Sequence, residues 1–341
     1  MLTTITKLSG LTAPSGWEHS VREYLIAAAQ THGLSYTVDR LGNLLIQVPG
    51  KKKPKQPILL AASMDEPGFM VNDIDGSGYL HLTELSLKDG RMLSARRVRI
   101  GNENGDYPAF LGAKPAHKHG GAVSFGELYA DIGATSKEEA EKYVAVGDFG
   151  VFATRLAPFG DHCLSGKAFG GRLGCAILCE ILRTLHEKGE RLPYDLYCTF
   201  TTRGEIVRSG VGAAAFSVKP DCAIFLDGAV AADIPGVPVE KQGAKLDGGP
   251  VIAFQENGAA YDGGLFDFLL ALCADTGIDC QTKRYANGQT NAARVAKVDD
   301  GVRTASVALP IRGLGTETNI ASIRDYLATK ELVLAMLRAM D

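Results

Sequence analysis

The sequence predicts a mixed α/β protein in which a β-rich segment is inserted into an α/β core. Near both ends of the 341-residue chain, apolar residues recur at helical spacing between short apolar runs. From Gly68 to about Asp161, short runs alternate with glycine turns instead. Because this β-rich segment interrupts a strand–helix alternation, we predict an α/β domain from residues 1–66 and 163–341 and an inserted domain from residues 67–162.

The first segment contains one predicted helix and three predicted strands. Ser15 and Glu18 form a capping-box pattern ahead of an apolar helical face, and Gly33 ends that helix. The three strands are 35–40, 43–48 and 58–62, the last of which is apolar throughout and suits a buried position.

The insert and the last segment differ in the elements that they predict. In the insert, the sequence predicts a short helix capped by Ser136, with Glu139 three residues later. Its strands are 79–82, 97–100, 109–112 and 127–132. The last segment predicts strands at 194–202, 222–226 and 302–309, and helices around 173–185, 265–272 and 320–340.

Composition limits the partners and the compartment that we expect. The chain has 36 basic and 39 acidic residues, so its formal net charge of −3 argues against a nucleic-acid surface. It has no apolar run of the roughly 18 residues needed to span a bilayer, and we expect no membrane partner. Seven cysteines without regular spacing, and no signal-peptide pattern, fit a cytoplasmic protein.

Several short motifs occur in order along nearly the whole chain. They are residues 11–18 (LTAPSGWE), 39–43 (DRLGN), 64–71 (MDEPGFMV), 111–117 (LGAKPAH), 131–134 (DIGA), 146–148 (VGD), 166–168 (GKA) and 310–312 (PIR). Together these motifs resemble the glutamyl, or tetrahedral, aminopeptidases, a family of dinuclear metallopeptidases.

The resemblance implies a fold, a cofactor and an assembly. The fold is a zinc-peptidase-like α/β/α sandwich with an inserted β-barrel domain. The cofactor is a pair of zinc or cobalt ions, held by about five side chains around a bridging carboxylate. The assembly is a homo-oligomer, from dimers to dodecameric tetrahedra, and association with a paralogous peptidase is a second possibility.

Most positions that the resemblance assigns to the two metals lack a suitable side chain. The first histidine position is Ser63, the bridging aspartate position is Gly170, and the last histidine position is Gly315. The general base that takes a proton from the bridging water falls on Gly204. A shifted alignment does not restore the last histidine, because no histidine follows His186. We therefore expect no intact catalytic set and no bound cofactor.

Three carboxylates remain at family positions: Asp65, Glu205 and Asp227. Glu205 and Asp227 are the residual metal ligands, and with Asp65 they can hold one hard cation weakly. Carboxylates alone are a poor zinc site, however. The alternative for Asp65 is a hydrogen-bonded strand-end carboxylate, and the alternative for Glu205 and Asp227 is pairing with a nearby arginine.

Two other sets of residues suggest replacement sites. Arg172, Arg203 and Arg312, with Arg208 nearby, surround the predicted cleft and suggest an anion site, because a guanidinium binds carboxylate and phosphate with two hydrogen bonds. Arginines that point to solvent are the alternative. His117, His119 and His162 belong to the insert or its edge, and we expect surface positions for them in preference to a new metal site.

Three functions remain open from the sequence. The first is a pseudo-enzyme that acts as a structural or regulatory subunit. The second is an active metallo-aminopeptidase with an unorthodox single-metal site. The third is a protein that binds a small anion or a peptide terminus in the old cleft.

Overall fold

The computed structural model describes residues 1–51, 56–86, 93–114, 123–283 and 291–340. The helices are α1 Leu2–Gly10, α2 His19–Thr31, α3 Lys137–Ala140, α4 Phe169–Glu187, α5 Ser209–Val218, α6 Gly263–Thr276, α7 Ala292–Val295 and α8 Ile323–Ala339. The strands up to the middle of the chain are β1 Ser35–Val38, β2 Leu44–Val48, β3 Ile58–Ser63, β4 Gly68–Ile74, β5 Leu80–Glu84, β6 Arg96–Asn102, β7 Gly105–Gly112, β8 Tyr129–Asp131 and β9 Phe149–Phe152. The remaining strands are β10 Ala157–Phe159, β11 Cys163–Gly166, β12 Leu196–Thr201, β13 Cys222–Val230, β14 Val251–Ala253, β15 Gln255–Glu256, β16 Ala259–Ala260, β17 Gln281–Thr282, β18 Arg303–Arg312 and β19 Asn319–Ser322.

Among the described residues, the main sheet has eleven strands. Nine follow the order β1-β2-β12-β3-β13-β18-β19-β11-β10, and β14 pairs with β18 and with β17 off this path. Strands β12, β3, β13 and β18 are mutually parallel at its centre. Because the carboxyl ends of parallel strands meet at one edge, the segments that follow β3, β12 and β13 lie side by side.

Alternation along β3 shows that both faces of this sheet are covered. Ile58, Leu60 and Ala62 pack in the larger core, which includes residues of α1, α2, α4, α6 and α8. Leu59 and Ala61 face the opposite way and pack with residues of α5 and α7. The result is the α/β/α sandwich that the family resemblance implied.

The insert forms a closed barrel of six strands in the order β4-β5-β8-β7-β6-β9. Its core is a separate cluster of buried residues between Phe69 and Phe152. The chain then re-enters the main sheet, because β10 pairs with β11. The Trp17 ring packs on Phe149 at a centroid distance of 5.3 Å, and Arg96 pairs with Glu317 at 3.0 Å, so both contacts join the barrel to the sandwich.

Some local predictions are confirmed and others are wrong. Ser136 caps α3 as predicted, since its hydroxyl accepts from the Glu139 amide at 3.2 Å. Helix α1, helix α5 and strand β19 were not predicted, and the segment predicted as a helix from residue 320 begins as β19. Among the described residues, none of the helices combines the length and the apolar character that crossing a bilayer requires.

The capping box predicted at Ser15 and Glu18 does not form. Glu18 is itself the N-cap residue of α2 and makes no side-chain cap bond. Ser15 Oγ instead donates to the Asp65 carboxylate, and Glu18 Oε1 accepts from the amides of Gly16 at 2.9 Å and Arg203 at 2.8 Å. Tertiary partners therefore take both side chains away from the helix end, and this ties the N-terminal segment to the cleft.

Candidate functional site

A pocket of about 350 Å³ opens at the carboxyl ends of β3, β12 and β13. Ser63 ends β3, Glu205 follows β12, and Asp227 lies within β13, so the sheet topology brings these three positions together. The other lining residues are Gly170, Gly171, Gly204, Arg208, Gly228, Ala229, Val230, Ala232, Lys241, Gly243, Ala244, Glu256, Lys283, Asn291, Leu314 and Gly315. With the exception of Asp65, the positions that the sequence resemblance assigns to the metal site line one pocket.

Two glycines near the start of α4 are required for packing. A Cβ on Gly171 would lie 2.3 Å from the Ser63 carbonyl oxygen, and a Cβ on Gly174 would lie 2.5 Å from that of Leu226. Gly170 is different, because its nearest neighbours would be Leu314 Cδ1 at 3.1 Å and Asp227 Oδ1 at 3.9 Å. A Cβ at position 170 would therefore lie between Leu314 and Asp227 without a severe clash.

Ser63 occupies the space beside Gly204. A Cβ on Gly204 would lie 2.4 Å from Ser63 Oγ and 3.0 Å from Asp65 Oδ1. The Ser63 hydroxyl is held in this position because it accepts a hydrogen bond of 2.8 Å from the Asn291 side-chain amide. A side chain at position 204 would therefore displace the Ser63 hydroxyl, which stands at the position that the sequence resemblance assigns to the first histidine.

Asp65 lies behind the pocket and is 1% exposed. Its Oδ2 accepts from Ser15 Oγ and from the Glu205 amide at 2.8 Å, whereas Oδ1 has no hydrogen-bond partner among the described residues. Burial raises the pKa of this carboxyl, and the hydrogen bonds from Ser15 and Glu205 oppose the increase. Its Oδ2 contacts therefore match the alternative given for Asp65 in the sequence analysis, a hydrogen-bonded carboxylate at the end of a strand.

Glu205 and Asp227 line the same pocket as Arg208 and Lys241. Burial raises the pKa of Glu205, and the neighbouring charges of Asp65 and Asp227 raise it further. Burial also raises the pKa of Asp227 to about 7, against a hydrogen bond of 2.8 Å from the Gly228 amide. The positive charge of Arg208 lowers both pKa values in part.

The opposite wall of the pocket has an ion pair that sequence reasoning missed. Lys283 Nζ lies 2.6 Å from Glu256 Oε1, and the Tyr261 hydroxyl donates to Glu256 Oε2 at 2.8 Å. Glu256 is buried in the short strand β15, and Lys283 follows β17. Neither residue belongs to a motif, so only the pairing of β14 with β17 and β18 brings them to the cleft.

The arginines of the predicted anion site lie elsewhere, with the exception of Arg208. Arg172 is 1% exposed, and its five N–H groups donate to the carbonyls of Met64, Leu8, Leu11 and Ala13 and to Glu66. Arg312 makes a two-point contact with Asp233, at 2.9 and 2.7 Å. Arg203 is exposed, with φ of +56°. Arg172 and Arg312 therefore have structural partners, in contrast to the cleft positions expected from the sequence.

The remaining sequence candidates add no metal ligand to the pocket. His162 pairs with Asp247 at 2.6 Å away from the cleft, and His117 and His119 lie outside the described residues. Gly315 has φ of +79°, and no atom lies within 4 Å of where its Cβ would be. Within the part of the chain that the structure describes, no three His, Cys, Asp or Glu side chains converge as a metal site, so the donor set does not fit two ions.

Comparisons with known proteins agree with the fold and the order of the motifs. The family model for the M42 glutamyl aminopeptidases matches residues 42–332. FrvX of Escherichia coli (strain K12) is 31% identical over 336 residues, which cover 96% of this chain and 92% of FrvX. The lysyl aminopeptidase of Pyrococcus furiosus is 27% identical over 336 residues, which cover 95% of this chain and 92% of that enzyme.

A solved structure supports the same assignment. The TET1 peptidase of Pyrococcus horikoshii, which assembles into a tetrahedron or a large octahedral shell, superposes with a TM-score of 0.88 at 26% identity. The match covers 99% of each chain, so both the sandwich and the barrel are shared. With the family model spanning most of its length, this chain belongs to the M42 glutamyl aminopeptidase family.

Proposed function

We propose that this chain is a member of the aminopeptidase family that has lost two-metal hydrolysis and acts as a structural or regulatory subunit. One observation carries the proposal: the space that a general base at position 204 would need is occupied by Ser63 Oγ. Glycine at 170 and 315 removes two further donor positions. Because the base, the bridge and the ligands act as a unit, their combined loss predicts an inactive centre.

The experiment measures metal content and hydrolysis on the same preparation. The protein is incubated with zinc or cobalt, desalted, analysed by mass spectrometry for bound metal, and assayed with aminoacyl p-nitroanilides. The Pyrococcus furiosus lysyl aminopeptidase, treated identically, is the positive control. We expect fewer than two ions per chain and no hydrolysis above background.

Two results would contradict this proposal. Two tightly bound ions per chain, with hydrolysis that a chelator abolishes and metal restores, would show an intact centre. One ion per chain with chelator-sensitive hydrolysis would instead establish the single-metal alternative at Glu205 and Asp227.

The structural role rests on a homo-oligomer formed through the barrel. The six described strands of the barrel close, and the inserted domain exposes Tyr107, Phe110 and Tyr143, with the two tyrosine rings packed at 5.3 Å. Exposed aromatic side chains are typical of protein interfaces. Light scattering should give a mass well above the 36.2 kDa of one chain. Phe110→Asp should reduce that mass and Phe216→Asp, on α5, should not; a monomeric native protein would refute the idea.

A further inference from the structure

Helix α6 ends in a turn that brings two cysteines together. Gly277, just past the helix, has φ of +68°, and its amide donates to the Ala274 carbonyl at 3.4 Å. The next amide, that of Ile278, donates to the Cys273 carbonyl at 3.0 Å. These two bonds form a Schellman motif, in which the chain turns back toward the last turn of its own helix. Cys280, two residues after Ile278, therefore follows this turn closely.

The side chains of Cys273 and Cys280 are in contact. Cys273 is 3% exposed and belongs to the larger core, and Ile278 and Cys280 are partly buried and pack against that core. The two thiols are hydrogen-bonded to each other, and neither is part of a disulfide. Because a disulfide needs its sulfur atoms about 2.05 Å apart, two thiols that are already in contact have only a short distance to close.

We propose that Cys273 and Cys280 form a reversible disulfide by exchange with a small-molecule disulfide such as glutathione disulfide. In a reducing compartment a disulfide of this kind forms when oxidant rises and is lost when thiols are restored. The inference does not depend on the proposed function, because neither cysteine lines the pocket at the ends of β3, β12 and β13.

Cys280 is the thiol that a reagent reaches first. It lines another pocket, of about 370 Å³, together with Lys245, Gln281 and Thr282. The positive charge of Lys245 complements the carboxylates of glutathione disulfide. Cys273, in contrast, is buried, and burial raises the pKa of its thiol, as does its hydrogen bond to Cys280. Cys280 is therefore the attacking thiol, and Cys273 resolves the product.

The oxidation consists of two exchange steps. The Cys280 thiol loses its proton, and its sulfur attacks one sulfur of glutathione disulfide, which releases one glutathione thiolate. Cys280 is then bonded to glutathione. The Cys273 thiol next loses its proton and attacks Cys280 Sγ, which releases the second glutathione thiolate. The two thiolates take up the two protons, so two protein thiols are oxidised and one glutathione disulfide is reduced.

The new bond would tie the end of α6 to one wall of the cleft. Cys280 directly precedes β17, where the Gln281 amide donates to the Pro250 carbonyl at 2.8 Å. Lys283 directly follows β17 and pairs with Glu256 in the cleft. In the reduced protein, pairing with β14 holds this short strand. Oxidation would add a covalent link two residues before the strand ends.

The test follows both cysteines by mass spectrometry of the full-length protein. The protein is incubated with glutathione disulfide, quenched with iodoacetamide and digested with trypsin without reductant. Both cysteines lie in one tryptic peptide, residues 246–283, so the disulfide appears as this peptide with neither cysteine alkylated and two hydrogens missing. We expect this species in the unsubstituted protein, and we expect dithiothreitol to remove it.

Variants assign the two roles. In Cys273→Ser, glutathione should stay on Cys280 and reach at least about tenfold the level in the unsubstituted protein, since a neighbouring thiol acts at millimolar or higher effective concentration. Cys280→Ser should remove both the disulfide and the adduct from this peptide. If Cys273→Ser does not fold by circular dichroism, Cys273→Ala takes its place.

Cys163→Ser is the matched control, because Cys163 is also partly exposed but lies on β11. It should leave the yield of the disulfide unchanged. Three results would overturn the proposal: no reaction of either thiol, stable glutathione on Cys280 in the unsubstituted protein, or equal amounts of adduct with and without Cys273.

Discussion

A methyl group added at position 204 should destabilise the protein through Ser63. In Gly204→Ala the new Cβ would lie 2.4 Å from Ser63 Oγ and 3.0 Å from Ser63 Cβ. The hydroxyl can rotate away only by giving up the hydrogen bond of 2.8 Å from Asn291, which costs about 0.5–1.5 kcal/mol. The remaining close contacts bring the expected loss in unfolding free energy to about 1–3 kcal/mol.

Gly170→Ala is the matched control, because both glycines line the same pocket. There the closest atom to the new Cβ would be Leu314 Cδ1 at 3.1 Å, at the end of a side chain that can move. We expect a loss of less than about 1 kcal/mol for this variant. Urea unfolding followed by far-UV circular dichroism measures both variants.

A double-mutant cycle tests the mechanism itself. Ser63→Gly removes the two Ser63 atoms that a Cβ at position 204 would meet, so Ser63→Gly with Gly204→Ala should be more stable than the sum of the single changes predicts. We expect a coupling of about 1 kcal/mol. If Gly204→Ala proved as stable as Gly170→Ala, or if the two changes were additive, the steric argument for an excluded base would be wrong.

Three other predictions follow from buried charge and from the missing ligands. Burial raises the pKa of Asp227 to about 7, so the native state keeps a proton that the unfolded state loses above about pH 4. The unfolding free energy of the unsubstituted protein minus that of Asp227→Asn should therefore fall as the pH rises from about 4 to 7, and then level off. A difference that stays constant with pH in urea titrations would refute this. Lys167 is 4% exposed and pairs with Glu66 at 2.7 Å, so Glu66→Gln leaves a buried lysine without its counterion. This variant should lose about 3–5 kcal/mol of unfolding free energy in urea. A loss under about 1 kcal/mol would refute a structural role for the pair. Gly315→His alone should not produce hydrolysis of aminoacyl p-nitroanilides with zinc or cobalt present, and activity in this single variant would show that the base and the bridge are supplied elsewhere.

Much of the fold could be predicted from the sequence, because its elements carry strong local patterns. The run at 58–62 is apolar on both faces, which is typical of a central parallel strand, and it became β3. Helix α5 was missed because its sequence, SGVGAAAFSV, is small and glycine-containing and lacks a clear apolar stripe. Strand β19 was assigned to the helix that follows it, because a strand of four residues is too short to show its own period.

The candidate site was only partly accessible from the sequence. The resemblance assigned Ser63, Glu205 and Asp227 to the metal site, and the structure brings all three to one pocket. The positions of charged residues in the sequence could not show that Arg172 donates its hydrogen bonds to backbone carbonyls. They also could not show that Arg312 pairs with Asp233. No sequence motif indicated the ion pair between Lys283 and Glu256, because pairing of strands that are distant in the sequence brings the two residues together.

The order of strands in the main sheet has a consequence for synthesis of the protein. All barrel strands lie between Gly68 and Phe152, whereas the central strand β18 begins only at Arg303. At about 5–20 residues per second, the ribosome needs roughly 8–30 s to add the intervening residues. The barrel core can therefore close first, while β3 lacks both of its partner strands until β12 and β13 emerge. We expect the nascent chain to depend most on chaperones during this interval, when an apolar strand edge is available for pairing with other chains.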